Sequence, residues 1–397
     1  MLAEIILFMF LGILAGTFTG LAPGIHINLI GVSLVALSAS LLSSINPLYL
    51  VVLIVAMAIT HTFVDFIPSI FLGCPDTDTE LSVLPGHELL KKGQGYEAVL
   101  LSAYGGLAAT FLLVLITAPS FFVVQKIYGL FQNIMPYLLI AVSVTLIMLE
   151  KNKFSGFLVF FLTGVLGFSV LNLDIKEPLL PLLTGLFGSS MLVMSIKNKT
   201  VVPKQKISKP RIKGRLLSPL LGALVTSPLS GMLPGLGSGQ AAILGNVISR
   251  TDRKGFLVLL GATNTIVMGF SFIALYLIKR TRTGAAVAIN NLLGNFSWQV
   301  LVLILMVVLV TGIISFFWTL VLAKFFSKKI ADINYTKLSL IILGCLIIVV
   351  SVFSGFFGLI VLIFSTLTGI YCISLGVKRT NMMGCLLLPT IIFYLTI

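Results

Sequence analysis

The stretch GLAPGIHIN, residues 20–28, interrupts an apolar segment that runs from residue 5 to residue 44. Proline has no N–H to donate and clashes with the preceding helical turn, whereas glycine tolerates the backbone angles of a sharp reversal. A helix is therefore predicted to end near Pro23. If a second helix begins directly after it, its first N–H groups are unpaired and its dipole is positive at that end.

A similar stretch, GMLPGLGSG, residues 231–239, interrupts a second apolar segment, 216–249. Within a membrane such backbone is tolerated only where protein or a water-filled cavity satisfies it, and two facing helix N-termini would bind an anionic group. The alternative is that both stretches are simple kinks or turns at the membrane surface. The candidate substrate-binding residues are Pro23, Gly24, His26, Asn28, Pro234, Gly235, Ser238, Gly239 and Gln240.

The composition around these stretches is that of a polytopic membrane protein. Of the 397 residues, 58% are hydrophobic and 10% are charged, and the mean hydropathy is +1.15. Apolar runs long enough to cross a bilayer, about 20 residues, recur along the chain. They include 98–122, 133–149, 154–172, 178–195, 255–278, 300–323 and two runs between 338 and 377. The sequence predicts an all-α fold with about 10 to 12 membrane segments.

Basic residues divide the chain into two parts. A cluster of lysines and arginines without any acid lies between residues 197 and 215, and such loops remain in the cytoplasm. We predict a first membrane half (1–195), a basic cytoplasmic linker (196–215) and a second membrane half (216–397), with the two interrupted segments as an internal repeat. One place disagrees with the charge rule, because basic residues, Arg282 among them, both precede and follow the run 255–278. Either the rule fails here, or this segment does not cross as one plain helix.

Polar residues within the apolar runs form a second set of candidates. His61 and Asp65 are four residues apart and share a helix face, and ionisable residues in membrane segments usually face an interior or a pathway. They are interpreted as an ion-coupling site or as a buried pair that holds two helices. Thr263, Asn264 and Thr265 either bridge helices or coordinate an ion or substrate. Asp76 and Thr77 lie in an irregular segment near the site, or in an ordinary solvated loop.

The sequence also predicts the structure of two further segments. A surface helix is predicted from Glu80 to Lys92, after the irregular segment. The DTDTE run in that segment lacks the glycine and the terminal glutamate of a calcium loop. The stretch 283–291 is too short to span and is interpreted as a re-entrant or surface piece.

Several function classes have no support in the sequence. The four cysteines lie far apart without CxxC spacing, so neither a disulfide framework nor a zinc site is indicated. No GxSxG or HExxH pattern appears in the spans, so an enzyme is not predicted. The net charge of +14 follows the loops between apolar runs and does not indicate nucleic-acid binding. The predicted function is secondary transport, and the alternatives are a lipid or lipid-carrier translocase and a membrane scaffold.

Three motifs in order resemble one family. GLAPGIH, the series GCPDT followed by LPGHELLKKGQGYEA, and GMLPGLGSGQAA are similar to stretches of the large membrane subunit of the tripartite tricarboxylate transporters. The likeness covers residues 10–110 and 215–295. The chain is shorter than the usual subunit, and Asp76 stands where the family pattern has glycine. With these two departures the chain resembles a short, outlying branch of the family. One interpretation is that this branch is archaeal.

The resemblance implies a permease that moves a small organic anion of the carboxylate class, driven by a sodium or proton gradient. It also implies an extracytoplasmic binding protein and a small membrane subunit as partners, and no cofactor besides the coupling ion. Because Asp76 places a negative charge where a carboxylate is expected to bind, family membership is the firmer expectation and tricarboxylate specificity does not follow from it.

Overall fold

The computed structural model describes residues 2–22, 45–73, 79–198, 202–207, 216–232, 237–332 and 334–396. Within these ranges the chain forms helices and no strand. The helices of the first half are α1 (Leu2–Leu21), α2 (Pro47–Val64), α3 (Val83–Lys91), α4 (Gly95–Met148), α5 (Lys153–Leu171), α6 (Leu179–Leu183) and α7 (Ser190–Lys197). Those that follow are α8 (Leu217–Met232), α9 (Ser238–Ser249), α10 (Arg253–Ile278), α11 (Gly284–Leu293), α12 (Trp298–Lys329), α13 (Tyr335–Ser374) and α14 (Gly384–Thr396).

Eight helical segments of the described chain are long and apolar enough to cross a membrane. Two of them, Pro47–Leu72 and Arg253–Ile278, are the most enclosed, since 94% of the residues in the most apolar window of each are buried. Large apolar side chains of α1, α5 and α13 are exposed instead, as expected of helices that contact lipid. The prediction of an all-α, multi-pass membrane protein is confirmed.

The order of elements is similar before and after the linker. An interrupted apolar segment is followed by an enclosed span (α2 or α10), a short helix (α3 or α11) and a long span (α4 or α12). This order agrees with an internal repeat, while the division at residues 195 and 216 stays a prediction. In this order α2 and α10 occupy equivalent positions, one in each half of the chain.

The interruption in the second half forms a helical hairpin. Helix α8 ends at Met232 and α9 begins at Ser238, on either side of Pro234. The hydroxyl of Thr226 donates to the carbonyl of Ala241, and that of Ser218 donates to the carbonyl of Ser249, both at 2.8 Å. These antiparallel contacts place both ends of the hairpin at one face. Its helices are about 24 and 18 Å long, short of the hydrocarbon core of about 30 Å, so the hairpin is re-entrant.

Helix α1 ends at Leu21, as predicted for the first interruption, and packs in parallel against α2. Glycines on α1 permit the close approach, because a Cβ at each would lie within 3.0 Å of an α2 side chain. The contacts recur every four residues along both helices: Gly12 with Ala56, Gly16 with Thr60, and Gly20 with Val64.

Two long helical elements each contain two of the predicted membrane runs. Residues 95–148 form one helical element, α4, but its apolar parts are two, Gly95–Val124 and Asn133–Met148. Both ends of α4 lie at one face: the N–H of Gly95 donates to Gln205 of the linker, and the carbonyl of Leu149 accepts from Lys378, which lies beside Glu88 and Arg253. A straight helix of this length would span about 80 Å, so the chain reverses between the two parts, as the two runs 98–122 and 133–149 require.

Similarly, α13 is interrupted at Gly355, whose φ of 65° is left-handed. Residues of both parts of α13 pack against the same short stretch, 185–192. The chain therefore folds back at Gly355, as the prediction of two runs between 338 and 377 requires.

The prediction that residues Glu80 to Lys92 form a surface helix is wrong about the exposure of this segment. A short 3₁₀ turn precedes α3, and most of this segment is buried, including Leu81, Val83 and Leu90. The polar residues that suggested a surface position are bonded internally instead: Ser82 donates to the carbonyl of Thr79, and His87 Nδ1 lies 3.1 Å from the carbonyl of Ile70.

Contacts among the loops define one basic face of the molecule. In the described part of the linker, Lys206 N donates to the carbonyl of Gly93 at 2.8 Å. Arg253 forms an ion pair with Glu88, and Lys254 Nζ donates to Glu97 Oε1 at 2.6 Å. The loop after α3, the linker and the start of α10 therefore lie together, and the positive-inside pattern predicts that this face is cytoplasmic.

The basic residues after α10 lie at the opposite face, because α10 is one continuous helix. Arg282 is used there for a local contact: its Nε donates to the carbonyl of Ser230 at 3.0 Å. That carbonyl belongs to the last turn of α8, where helix carbonyls lack intrahelical partners and a cation is favourable. The departure from the charge rule at this position therefore has a structural reason.

Candidate functional site

Three consecutive residues of α2 bond to three different helices. The Ser315 hydroxyl of α12 donates to Thr60 at 2.9 Å, and His61 Nδ1 lies 3.0 Å from the Thr19 hydroxyl of α1. Thr62 Oγ1 lies 3.2 Å from Thr265 Oγ1 of α10. Successive helical residues point in directions about 100° apart, so three neighbouring polar residues can bond on several sides only where the helix is enclosed. α2 is therefore the polar centre of the bundle.

The directions of two of these bonds follow from their neighbours. The Thr19 hydroxyl donates to the carbonyl of Gly16 at 3.1 Å, so it accepts from His61 Nδ1–H. The Thr62 hydroxyl donates to the carbonyl of Ile59 at 2.8 Å, and it accordingly accepts from Thr265. Both assignments rest on the hydrogen-bond network, since one hydroxyl proton serves one acceptor.

Asp65 and Asn264 form the contact between the two enclosed spans. Asn264 Nδ2 donates to Asp65 Oδ2 at 2.9 Å and lies 3.5 Å from the carbonyl of Thr62. Both side chains are only 2% exposed. A buried carboxyl group needs hydrogen bonds or ionic partners to offset its desolvation, and here an amide from the other half supplies one of them. The structure therefore brings together Asp65, Asn264 and Thr265 from the predicted set, with Thr62.

The backbone is irregular immediately after Asp65. α2 gives way to a π-helical stretch, Pro68–Leu72, which ends at Gly73 with a left-handed φ of 68°. Ser69 donates through its hydroxyl to the carbonyl of Asp65 at 2.8 Å. π-Helical turns are rare and frequently occur at functional sites. Pro68 lacks an N–H, so it disturbs the regular bonding of this turn.

Glycines of α4 and α10 bring a third helix against this contact. A Cβ on Gly105 would collide with the carbonyl oxygen of Val258, and a Cβ on Gly261 with that of Ser102. A Cβ on Gly106 would lie 3.1 Å from Thr265 Oγ1 and 2.9 Å from the ring of Phe63. α4 therefore backs the site at a distance that only glycine permits.

The first turn of α9 carries the predicted residues of the second interruption. Gln240 Oε1 accepts from the backbone N–H of Gly237 at 2.8 Å, which caps the helix. Ser238 is buried, and its Oγ has no hydrogen-bond partner within the described ranges. Gly231, just before the interruption, packs on Phe270. Phe270 follows Asn264 by six residues, about 9 Å along α10, so Gly231, near the end of α8, lies that distance beyond the level of Asn264 and Asp65.

Several of the predicted site residues lie outside the part of the chain that the structure describes. Pro23, Gly24, His26, Asn28, Asp76, Thr77, Pro234 and Gly235 lie outside the described residues. Thr263 is buried next to Asn264, and its hydroxyl has no hydrogen-bond partner among the residues described. No group of three or more histidine, cysteine or acidic residues in the described chain is arranged to hold a metal ion. The functional roles of the predicted set stay predictions.

Sequence reasoning missed the hydroxyl residues around His61. Thr19, Thr60, Thr62 and Ser315 all participate in the polar centre. The run THT at residues 60–62 was visible, but a single threonine in an apolar helix normally bonds to its own backbone. Only the fold shows that these hydroxyls also bond across helices. The contact of Arg282 with Ser230 was not predicted either, since the charge pattern shows only that a basic residue follows the run 255–278.

The fold and this centre define a class: a multi-pass membrane protein whose enclosed spans meet at polar side chains beside a re-entrant hairpin. A family model described as "Tripartite tricarboxylate transporter TctA family" matches residues 6–384. The chain belongs to this family of membrane transport proteins, as its motifs predict. The family works in a tripartite system with a binding protein and a small membrane subunit.

One relative is similar over its full length. An uncharacterized protein of Methanocaldococcus jannaschii is 32% identical over 403 residues, which cover 98% of this chain and 99% of that protein. The relative has the same short length, and its source is an archaeon, in agreement with the interpretation of the short branch. No solved structure matches this chain.

Proposed function

We propose that this protein is the permease of a secondary transport system that moves a small organic anion of the carboxylate class, coupled to a sodium or proton gradient. The observation that carries the proposal is the Asp65–Asn264 hydrogen bond, which joins the two enclosed spans beside the re-entrant hairpin. An ionisable residue at such a depth is costly and usually functional.

The anion is proposed to bind at the interruptions. In the second half, the first turn of α9 offers backbone N–H groups and the buried hydroxyl of Ser238. The positive end of the helix dipole favours an anion there. Gly239 and Gln240, together with Pro234 and Gly235, complete this side of the proposed site. Pro23, Gly24, His26 and Asn28 are proposed to form the opposite side.

The coupling ion is proposed to act at the α2–α10 contact. The oxygen atoms of Asp65, Thr62 and Thr265 are ligands that suit a hard cation such as sodium, and protonation of Asp65 would serve a proton gradient equally. His61, Thr263, Asn264, Asp76 and Thr77 are proposed to support this region. Either ion would alter the charge about 9 Å along α10 from the end of the hairpin and so the affinity for an anion there.

The tripartite partners are proposed on family grounds. An extracytoplasmic binding protein would deliver the anion to the face opposite the basic linker, and a small membrane subunit would contact the lipid-exposed helices. The substrate class is likewise taken from the family and from the anion chemistry of a helix N-terminus.

Uptake by purified protein in liposomes tests the proposal. A panel of labelled mono-, di- and tricarboxylates is offered with an imposed sodium gradient, a proton gradient or neither. We expect gradient-dependent uptake of at least one carboxylate, and loss of that dependence in Asp65→Asn. The matched control is Asp174→Asn, which alters an exposed acid outside the spans.

Two results would overturn the proposal. One is gradient-driven uptake in Asp65→Asn equal to that of the unaltered protein. The other is movement of lipid alone, followed with a fluorescent phospholipid in the same liposomes, which would identify a lipid translocase.

A further inference from the structure

A cavity of about 230 Å³ lies on the basic face of the molecule, away from the α2–α10 contact. Its walls come from α3, from the connection between α9 and α10, and from the turn before α14. Leu81, Pro85 and Phe256 give it apolar sides, and the polar side chains of its lining include Asn246, Thr251, Lys378, Arg379 and Thr380. The cavity therefore joins both membrane halves and the C-terminal region.

Arg379 is the buried charge of this cavity. The residue is 8% exposed, and its guanidinium contacts the carbonyl of Phe187 at 3.5 Å and the sulfur of Met191 at 3.3 Å. No carboxylate in the described part of the chain pairs with it. Burial lowers the pKa of Arg379 to about 10, which leaves it protonated at neutral pH. A guanidinium has five N–H donors, and two contacts with neutral acceptors offset little of the cost of burying a cation.

The acids in the cavity wall are already engaged. Glu88 forms an ion pair with Arg253. Asp252 caps α10, since its Oδ1 accepts from the N–H of Gly255 at 2.8 Å. These acids are therefore committed to groups other than Arg379. The positive charge of Arg379 is thus not neutralised from within the wall.

The neutral polar side chains of the cavity wall have hydrogen-bond donors that can serve a ligand. Asn246 Oδ1 accepts from the backbone N–H of Thr251 at 3.2 Å and from its hydroxyl at 2.7 Å. With its oxygen occupied, Asn246 has its NH₂ group left for a ligand. Thr380 adds a hydroxyl on the side of Arg379. Lys378 adds a second cation, although its Nζ also donates to the carbonyl of Leu149 at 3.2 Å.

We propose that this cavity binds a phosphate-class anion, either free phosphate or the headgroup of an anionic lipid, with Arg379 as its main partner. Guanidinium groups bind phosphate oxygens in pairs, and the donors around the cavity come from several directions, as an anion with three or four oxygens requires. The volume is below that of pockets for larger ligands and suits a single headgroup. The bound anion joins α3, α10 and the turn at 379–383, and it stabilises their arrangement.

The test measures thermal stability, so it does not depend on the proposed transport function. Full-length protein in a neutral detergent is titrated with potassium phosphate at constant ionic strength, balanced with potassium chloride. A parallel titration uses dihexanoyl phosphatidic acid, with dihexanoyl phosphatidylcholine as its reference. A ligand that binds the folded state raises the melting temperature in a saturable way.

We expect at least one of the two probes to raise the melting temperature, and Arg379→Gln to weaken its apparent affinity by at least about tenfold. Lys153→Gln is the matched control, because Lys153 is exposed and lies outside the cavity lining. Thr380→Leu fills part of the cavity and keeps Arg379, so it tests the site if Arg379→Gln does not fold; the same weakening is expected. A response to phosphate alone identifies a free anion, and a response to phosphatidic acid alone identifies a lipid headgroup.

The proposal is overturned if neither probe stabilises the unaltered protein. It is equally overturned if the folded cavity variants respond as Lys153→Gln does, or if potassium chloride produces the same shift.

Discussion

Helix α10 bonds to acids of the first half at two levels, with different chemistry at each. At its first turn, on the basic face, Lys254 donates to the carboxylate of Glu97 at 2.6 Å. In the middle of the bundle, Asn264 donates to the carboxyl group of Asp65 at 2.9 Å. The outer contact joins two groups of opposite formal charge. The inner contact joins a carboxyl group to a neutral amide, which donates a hydrogen bond without supplying a charge, as the coupling role proposed for Asp65 requires.

From this difference we predict a structural role for the outer contact and a functional role for the inner one. The largest effect should therefore follow from changing the amide. Asn264→Leu keeps the approximate size of the side chain and removes the donor to Asp65. We expect gradient-driven uptake to fall by about 1,000-fold, equivalent to about 4 kcal/mol, measured per folded molecule in liposomes. Uptake within twofold of the unaltered protein would mean that Asn264 only packs α10 against α2.

The outer contact should respond in stability and not in uptake. Glu97→Gln leaves Lys254 beside a neutral group, and the loss of a largely buried partner should cost about 3 kcal/mol of unfolding free energy. The Lys254 side chain is 26% exposed, so solvent screens part of this cost. Denaturant titration in mixed micelles measures the change. Combining Glu97→Gln with Lys254→Met should recover most of the loss, since no uncompensated charge is then left.

Uptake by folded Glu97→Gln protein should stay within about twofold of the unaltered protein, because a structural pair contributes little to the transport barrier. A large loss of uptake with normal stability would remove the distinction between the two levels.

His87, a buried histidine near the outer contact, should make the stability of this region depend on pH. Burial and the nearby cations Lys91 and Arg379 lower the pKa of His87 from 6.5 to about 4. The unfolded chain then binds more protons than the folded one between these values, so stability falls as the pH drops through this window. We expect a loss of about 2.5 kcal/mol at pH 4.5 relative to pH 7 from this residue.

His87→Asn provides the reference for that measurement. Asparagine retains a donor for the carbonyl of Ile70, to which His87 Nδ1 bonds at 3.1 Å, and does not titrate. The difference between the two pH profiles isolates the histidine from the acids that titrate nearby. Parallel profiles would show that His87 is protonated equally in both states.

The sequence predicted the outline of the molecule better than its contacts. Hydropathy and charge identify the membrane class, and Pro234 with its glycines predicts the interruption between α8 and α9, because these residues act through local backbone chemistry. The burial of α3 was not predictable, since polar residues such as His87 look exposed until their partners are known. Likewise, the pairing of Asp65 with Asn264 depends on how helices 199 residues apart in sequence cross.

The smallest expected effect concerns the hydroxyl pair beside Asp65. Thr62→Val preserves the branched shape and removes the group that accepts from Thr265. The Thr265 hydroxyl is then left in a buried position with one partner fewer, which should cost about 1 kcal/mol of unfolding free energy. Ser315→Ala, which removes the donor to Thr60 on another side of the same helix, is the matched control for loss of one buried hydroxyl.

The same two variants test whether Thr62 also serves the coupling ion. If it does, Thr62→Val should raise the ion concentration for half-maximal uptake, while Ser315→Ala should not. Equal behaviour of the two variants would confine the functional contact to Asp65 and Asn264.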